Sequence, residues 1–343
     1  MHGETSMPEF FSESDLSRQS RGQHGVRLFG HVMACVDRSA HAARVLEEAV
    51  SLANLTGADL TIMRVMPGGS SSTPHADPVD WELTRREETA DLLQMAKTAG
   101  ATADIHTVVT CGPAPRCVRD EALRRGVDLL VVGAGAFGTP HRWGIGGTAR
   151  HLAETFRGSI LIVPDDVAGE QPRTSRVIVP MDGSPHAEAA LRYACEIARR
   201  RATELVVLHA VPDISSLRQG RTGLDDEPLW HELGREAEQR AKELLRRLRL
   251  LLPVEQTGNR IRQLSGDDPR RVLMKAICEE QGGLVVLSAR GLGKDPDLPI
   301  GSTAEYLLSR AVTPVLLIRN AEMTSHHTGG TAPRRPAAPR QDQ

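Results

Sequence analysis

Aromatic residues make up only 3% of this 343-residue chain: three Trp, two Tyr and five Phe. Single-stranded nucleic acid is held by aromatic platforms along a basic groove. That class is disfavoured here, all the more because the formal net charge is −2 and offers no sequence-wide attraction to polyanions or anionic lipid. Long apolar runs are also missing. None approaches the roughly 20 residues needed to cross a bilayer, and MHGETSMPEFFSESDLSRQS at the start lacks a basic-then-apolar leader pattern. A cytoplasmic protein is expected. The five cysteines, Cys35, Cys111, Cys117, Cys195 and Cys278, are odd in number and form no C-x-x-C pair, so they read as reduced core thiols. His326 and His327 have no partner cluster, and no H-x-x-E-H spacing suggests zinc. The sequence contains neither a G-x(4)-G-K-[S/T] phosphate loop nor a G-x-S-x-G elbow. With no identifiable nucleophile or general base, the chain is not expected to be an enzyme.

What is present is a repetition. HVMACVDRSAHA, beginning at His31, lies over RVIVPMDGSPHA, beginning at Arg176, with Asp37 on Asp182, Ser39 on Ser184 and His41 on His186. The same register lays ADLTIMRVMP on TELVVLHAVP. A slightly longer offset lays DLLVVGAGAFG on GLVVLSARGLG and SILIV on PVLLI. The period is that of a whole globular domain, not of a solenoid unit of roughly 20 to 50 residues. The expected organisation is a polar tail over 1–26, one domain over 27–165, a short Gly- and Pro-containing linker over 166–175, a second domain over 176–320, and a disordered tail over 321–343.

Within each copy, β-branched runs alternate with helical patterns. In copy two, VIVPMD reads as a strand, and the helix after it places Ala190, Leu191, Ala194, Ile197 and Ala198 on one face. A long helix is expected from about Trp230 to Leu252, and then RIRQL, LVVLS and VLLI as further strands. Continuous apolar strands separated by helices imply a parallel sheet covered on both faces with right-handed crossovers. The fold class is therefore α/β, with two tandem doubly wound domains. The basic segments ARRRATE and LLRRLRLLL read as solvated helix faces.

Such sheets bind ligands beyond the carboxyl ends of their strands, where strand order reverses. Three features fall there. Asp37 and Asp182 end the first strand of each copy and suit either a helix cap or acceptance of hydrogen bonds from a ligand. After the fourth strand of copy two come Ser288-Ala289-Arg290-Gly291, nine residues, then Gly301-Ser302 at a helix start. Small residues let backbone N–H groups approach a phosphate, and the helix N-terminus adds donors and partial positive charge. CGPAPRCV and SGDDPRRVL, with Gly112 and Gly266 each six residues before a Val, read as turns with Pro in the first turn of a helix.

The strand-one Asp, the loop G-x-x-G-x(9)-G-[S/T] and the closing P-V-L-L-I strand resemble the universal stress protein family, across both copies. The resemblance implies a five-stranded parallel sheet ordered 3-2-1-4-5 in each copy. In one subgroup it also implies ATP or another adenine nucleotide bound across the loop; other members bind none. Copy two carries the motif with Ser288 for the first Gly. Copy one keeps Gly133 and Gly146 but has Ala136 for the second Gly and Gly147 where the hydroxyl belongs, with Thr148 one place later. If position 136 needs a left-handed backbone, Ala costs about 1 kcal/mol there. Losing a hydroxyl bond to phosphate subtracts about 1.5 to 3 kcal/mol. Copy two is the expected site, through Asp182, Ser288, Gly291, Gly301 and Ser302, with Asp37, Gly133, Gly146 and Thr148 as the weaker set.

Charges in the loops run the other way. Asp295 and Asp297 stand in the copy-two loop beside Arg290 and Lys294, whereas copy one offers His141 and Arg142. Each Asp would repel a phosphate charge roughly 6 Å away by about 3 kcal/mol at an effective dielectric of 20, unless a bound cation such as Mg2+ inverts the sign. The leading expectation is a stress-response regulator that binds ATP. The alternatives are a nucleotide-free scaffold of paired domains, packed through the final strands, and a slow ATPase. The expected partners are the nucleotide and, within the chain, the other copy, with further pairing into a homodimer left open.

Overall fold

The structure, a computed structural model, describes residues 28–67, 78–135, 145–165, 176–212, 227–252, 258–292 and 299–319. The two tails, the linker, Ala136, His141, Arg142, Lys294, Asp295, Asp297, His326 and His327 lie outside the described residues. Copy one runs β1 (His31–Cys35), α1 (Ala42–Thr56), β2 (Asp59–Met66), α2 (Pro78–Thr98), β3 (Ile105–Cys111), α3 (Ala114–Arg125), β4 (Leu129–Gly133), α4 (Gly147–Thr155) and β5 (Ser159–Val163). Copy two repeats it as β6 (Val177–Pro180), α5 (Pro185–Arg200), β7 (Leu205–Pro212), α6 (Glu227–Leu251), β8 (Arg260–Gly266), α7 (Pro269–Glu280), β9 (Leu284–Ser288), α8 (Ser302–Leu308) and β10 (Val315–Ile318).

Each half has the strand order 3-2-1-4-5, and the halves join into one ten-stranded sheet, β3-β2-β1-β4-β5-β10-β9-β6-β7-β8. All pairings are parallel except the seam, where β5 meets β10 antiparallel with Leu161 opposite Leu316. Strand direction therefore reverses at the seam, and the carboxyl ends of the two halves lie on opposite edges of the sheet. Alternate residues of each strand enter opposite cores. Val32, Leu129, Leu161, Leu316, Val286 and Val177 face α1 and α5 in one apolar layer. Met33, Leu130, Ile160, Leu317, Val285 and Ile178 face α3, α4, α7 and α8 in the other. Both layers run unbroken through the seam, which explains why these strands read as solid apolar runs. The five predicted α5 positions are all buried.

Arginines stitch the copies together. Arg200 Nη1 donates to Leu55 O at 3.0 Å and Arg201 Nη2 to Ser51 Oγ at 3.3 Å, both on α1. The segment ARRRATE is thus an inter-copy contact and not a solvated face, because the end of α5 abuts α1 in the shared layer. Arg319 donates to the carbonyls of Ala153 and Phe156 at the end of α4. The five cysteines form no disulfide, but none is fully buried: Cys278 is exposed and the other four are half-buried. Cys278 sits on the outer side of α7, which turns Leu273, Ala276 and Ile277 inward. Burial still pushes the Cys35 and Cys195 thiols up to about 12.

Candidate functional site

In copy two, β6 ends in a turn that fixes Asp182. Gly183 adopts φ +82°, a region open to glycine, and the Ser184 amide donates to Asp182 Oδ1 at 2.9 Å. Ser184, not Asp182, caps α5, accepting from the Ala187 amide at 3.1 Å. The second carboxylate oxygen is thereby released toward the β9 loop, where it accepts from the Leu292 amide at 2.8 Å. Gly291 is bare against that carboxylate: a Cβ there would stand 2.3 Å from Asp182 Oδ2. Part of the expected hollow is thus filled by the protein's own side chain.

The ends of the loop are pinned together. Ala289 N donates to Ile318 O at 2.9 Å, and Gly301 N donates to Ala289 O at 2.8 Å. Gly301 has φ −70° and ψ 153°, which any residue can adopt, and a Cβ there would meet nothing closer than Ala289 O at 3.6 Å. The fold alone does not demand glycine at 301. Ser288 turns its hydroxyl back to the Arg290 carbonyl at 2.5 Å, and Ser302 opens α8 on the side facing copy one.

Two cations stand at this edge. Arg319 is pushed down to about 10, first by burial and then by repulsion from Arg290. Its Nε is buried without a hydrogen-bond partner. Among the described residues neither arginine forms an ion pair with a carboxylate. Sequence reasoning missed Arg319; its place directly after the final strand, at the carboxyl edge, was the available signal.

Copy one has the same frame. Ala134 N donates to Val163 O at 2.7 Å, Gly146 N to Ala134 O at 2.6 Å, and Ser39 N to Asp37 Oδ1 at 2.9 Å. A sequence model of the Universal stress protein family matches residues 28–164 and 174–319. The chain belongs to this family. A universal stress protein of Mycolicibacterium smegmatis is 25% identical over 298 residues, covering 84% of this chain and 96% of the relative. One from Mycobacterium tuberculosis is 25% identical over 311 residues, covering 88% and 99%. The crystal structure of a universal stress protein from Archaeoglobus fulgidus aligns with TM-score 0.56 at 17% identity, over 86% of this chain and 97% of that one.

Within that shared universal stress frame, copy one is crowded at the end of its fourth strand. His41 folds onto Gly133, its Cδ2 3.0 Å from where a Cβ would be, and its Nε2–H donates to Val163 O at 3.1 Å. Asp165 lies 3.6 Å from the same nitrogen, and its carboxylate crowds Gly135, where a Cβ would stand 2.4 Å away. Ser39 spends its hydroxyl on Asp37 at 2.5 Å, so α1 starts without a side-chain cap. Thr148 is exposed in the first turn of α4. Beside Asp37, a cavity of about 410 Å³ is walled by Arg38, Arg64, Glu87, Glu88 and Asp91. Arg64 donates to Glu88 at 2.5 Å and Asp91 at 2.7 Å, and Arg38 also reaches Glu88. Burial pushes the Glu88 carboxyl up, but Arg38 and Arg64 outweigh it and hold the group below its ordinary value. Four carboxylates, Asp37 included, face two arginines, a balance hostile to phosphate.

The third sequence feature forms a helix-initiating turn at both places. Gly112 has φ +141°, and Pro113 precedes α3 directly. Asp268 caps α7 by accepting from the Arg270 amide at 3.0 Å. Among the described residues no helix is long and apolar enough to cross a membrane.

Proposed function

We propose that copy two binds an adenine nucleotide, ATP in the first instance, and that binding changes the chain's conformation or partner affinity without rapid turnover. The observation that carries this reading is the Leu292 amide, which already holds a carboxylate oxygen of Asp182, in a loop where Arg290 has no described carboxylate partner and is repelled by Arg319. An anionic oxygen placed there would relieve the repulsion and replace Asp182 at Leu292. Asp182 would then be free to accept from a ligand hydroxyl or amino group. Arg290 suits phosphate, and glycine at 301, which the fold itself does not require, leaves room for close approach of phosphoryl oxygens to the start of α8. Among the described residues at this edge no side chain is assigned as a general base, and we favour a regulatory protein over an ATPase. The cytoplasm is the compartment we favour.

Mass spectrometry of small molecules released from the purified, denatured protein tests this reading. An adenine nucleotide near one equivalent per chain is expected. Absence of any nucleotide, together with no thermal shift on adding ATP with or without Mg2+, would leave the paired-domain scaffold as the function.

A further inference from the structure

The seam between the copies carries a second cavity, of about 370 Å³, between α4 of copy one and α8 of copy two. That volume lies within the range of small-molecule sites, about 300 to 1,000 Å³. Its floor is apolar and drawn from both copies: Ile145 and Ala153 from one, Ile300 and Leu308 from the other. Its polar groups are unevenly spent. At one end Arg150 is shared between Glu154 at 2.9 Å and Glu305 at 3.5 Å. On the wall, Arg270 is held by Asp268 at 3.0 Å. At the other end Arg310 lies over the Tyr306 ring, 4.2 Å from its centroid, and donates to Ser309 Oγ at 3.1 Å. No carboxylate pairs with Arg310 among the described residues.

We propose that this inter-copy cavity is a binding site for a small amphipathic anion. Its apolar or aromatic body would rest on the Ile145, Ala153 and Ile300 floor, and one carboxylate, sulfonate or phosphate group would be taken by Arg310. Its position over the Tyr306 ring steadies the guanidinium, whose remaining N–H groups would meet the acceptor. The acidic end, Glu154 and Glu305, opposes a second negative charge and so sets the ligand's direction. Because the floor comes from both halves, the site exists only in the joined chain. Its lining shares Ser302 with the expected nucleotide site but not Asp182 or Gly291, so Gly291→Val separates the two.

Fluorescence titration of the full chain with 8-anilinonaphthalene-1-sulfonate, an aromatic sulfonate, tests the proposal. Saturable binding of one probe per chain is expected, weakened at least tenfold by Arg310→Glu and by Tyr306→Ala, and unchanged by Gly291→Val or by added ATP. Arg310 is exposed, so Arg310→Glu should retain the wild-type thermal melt. The proposal is overturned by a wild-type protein with no saturable signal, by affinity that survives Arg310→Glu, or by displacement of the probe with ATP.

Discussion

The same D-x-S-x-H turn does opposite things in the two halves. In copy one Ser39 bonds back to Asp37 and His41 lies across Gly133. In copy two Ser184 caps its helix, His186 is exposed, and the position equivalent to Gly133 is Ser288. A Cβ at the Gly133 position would press on His41; Ser288 has one. A single side-chain difference on the fourth strand thus accompanies a different packing of the first-strand turn in the two copies. Charge divides the same way, with Asp165 beside Gly135 in copy one and Arg290 with Arg319 in copy two. Duplication has kept the backbone frame in both halves and altered what faces it.

The largest effect is expected where copy one is filled by ions. Glu88→Ala leaves Arg64 buried against Asp91 alone and should cost about 3 to 5 kcal/mol in chemical denaturation. Since Glu88 titrates below its ordinary value of about 4.3, its contribution is complete above that pH and lost as pH falls through the folded value. Denaturation midpoints of wild type and Glu88→Gln should therefore converge only as pH falls through the lowered folded value of Glu88. Next, Arg290→Glu should weaken ATP binding about tenfold to a hundredfold in calorimetry, with the melt unchanged, because it reverses a charge at the copy-two edge. Gly301→Ala should leave stability within about 0.5 kcal/mol yet weaken ATP binding about tenfold, whereas Gly147→Ala in copy one should leave binding untouched. The smallest effect is Gly133→Ser, which should dislodge His41 and lower stability by about 1 kcal/mol through loss of its bond to Val163 O, visible as a shifted His41 ring resonance.

Much of the architecture was legible because apolar strands and amphipathic helices announce themselves by period: LVVLS, SILIV and VLLI could be little else, and α5 shows its buried face in sequence. The repeat supplied the rest of the topology. The joining of β5 to β10 could not be read in register, since an apolar edge strand does not specify its partner. At the candidate site, Asp182, Gly291 and Gly301 were legible as loop positions. That Asp182 would reach Leu292 depends on the loop's path in space, and so does the arrival of Arg319 beside Arg290. Arg64 was visible as a charge inside the apolar run TIMRVM, but its partners Glu88 and Asp91 come from a helix far along the chain.

We propose that copy two of this universal stress protein takes the nucleotide and copy one takes none. Isothermal titration of ATP into wild type, Gly291→Val and Gly133→Val separates the two halves. One nucleotide per chain is expected, with heat abolished in Gly291→Val and retained in Gly133→Val. Two nucleotides per chain, or heat that survives Gly291→Val and vanishes in Gly133→Val, would contradict it.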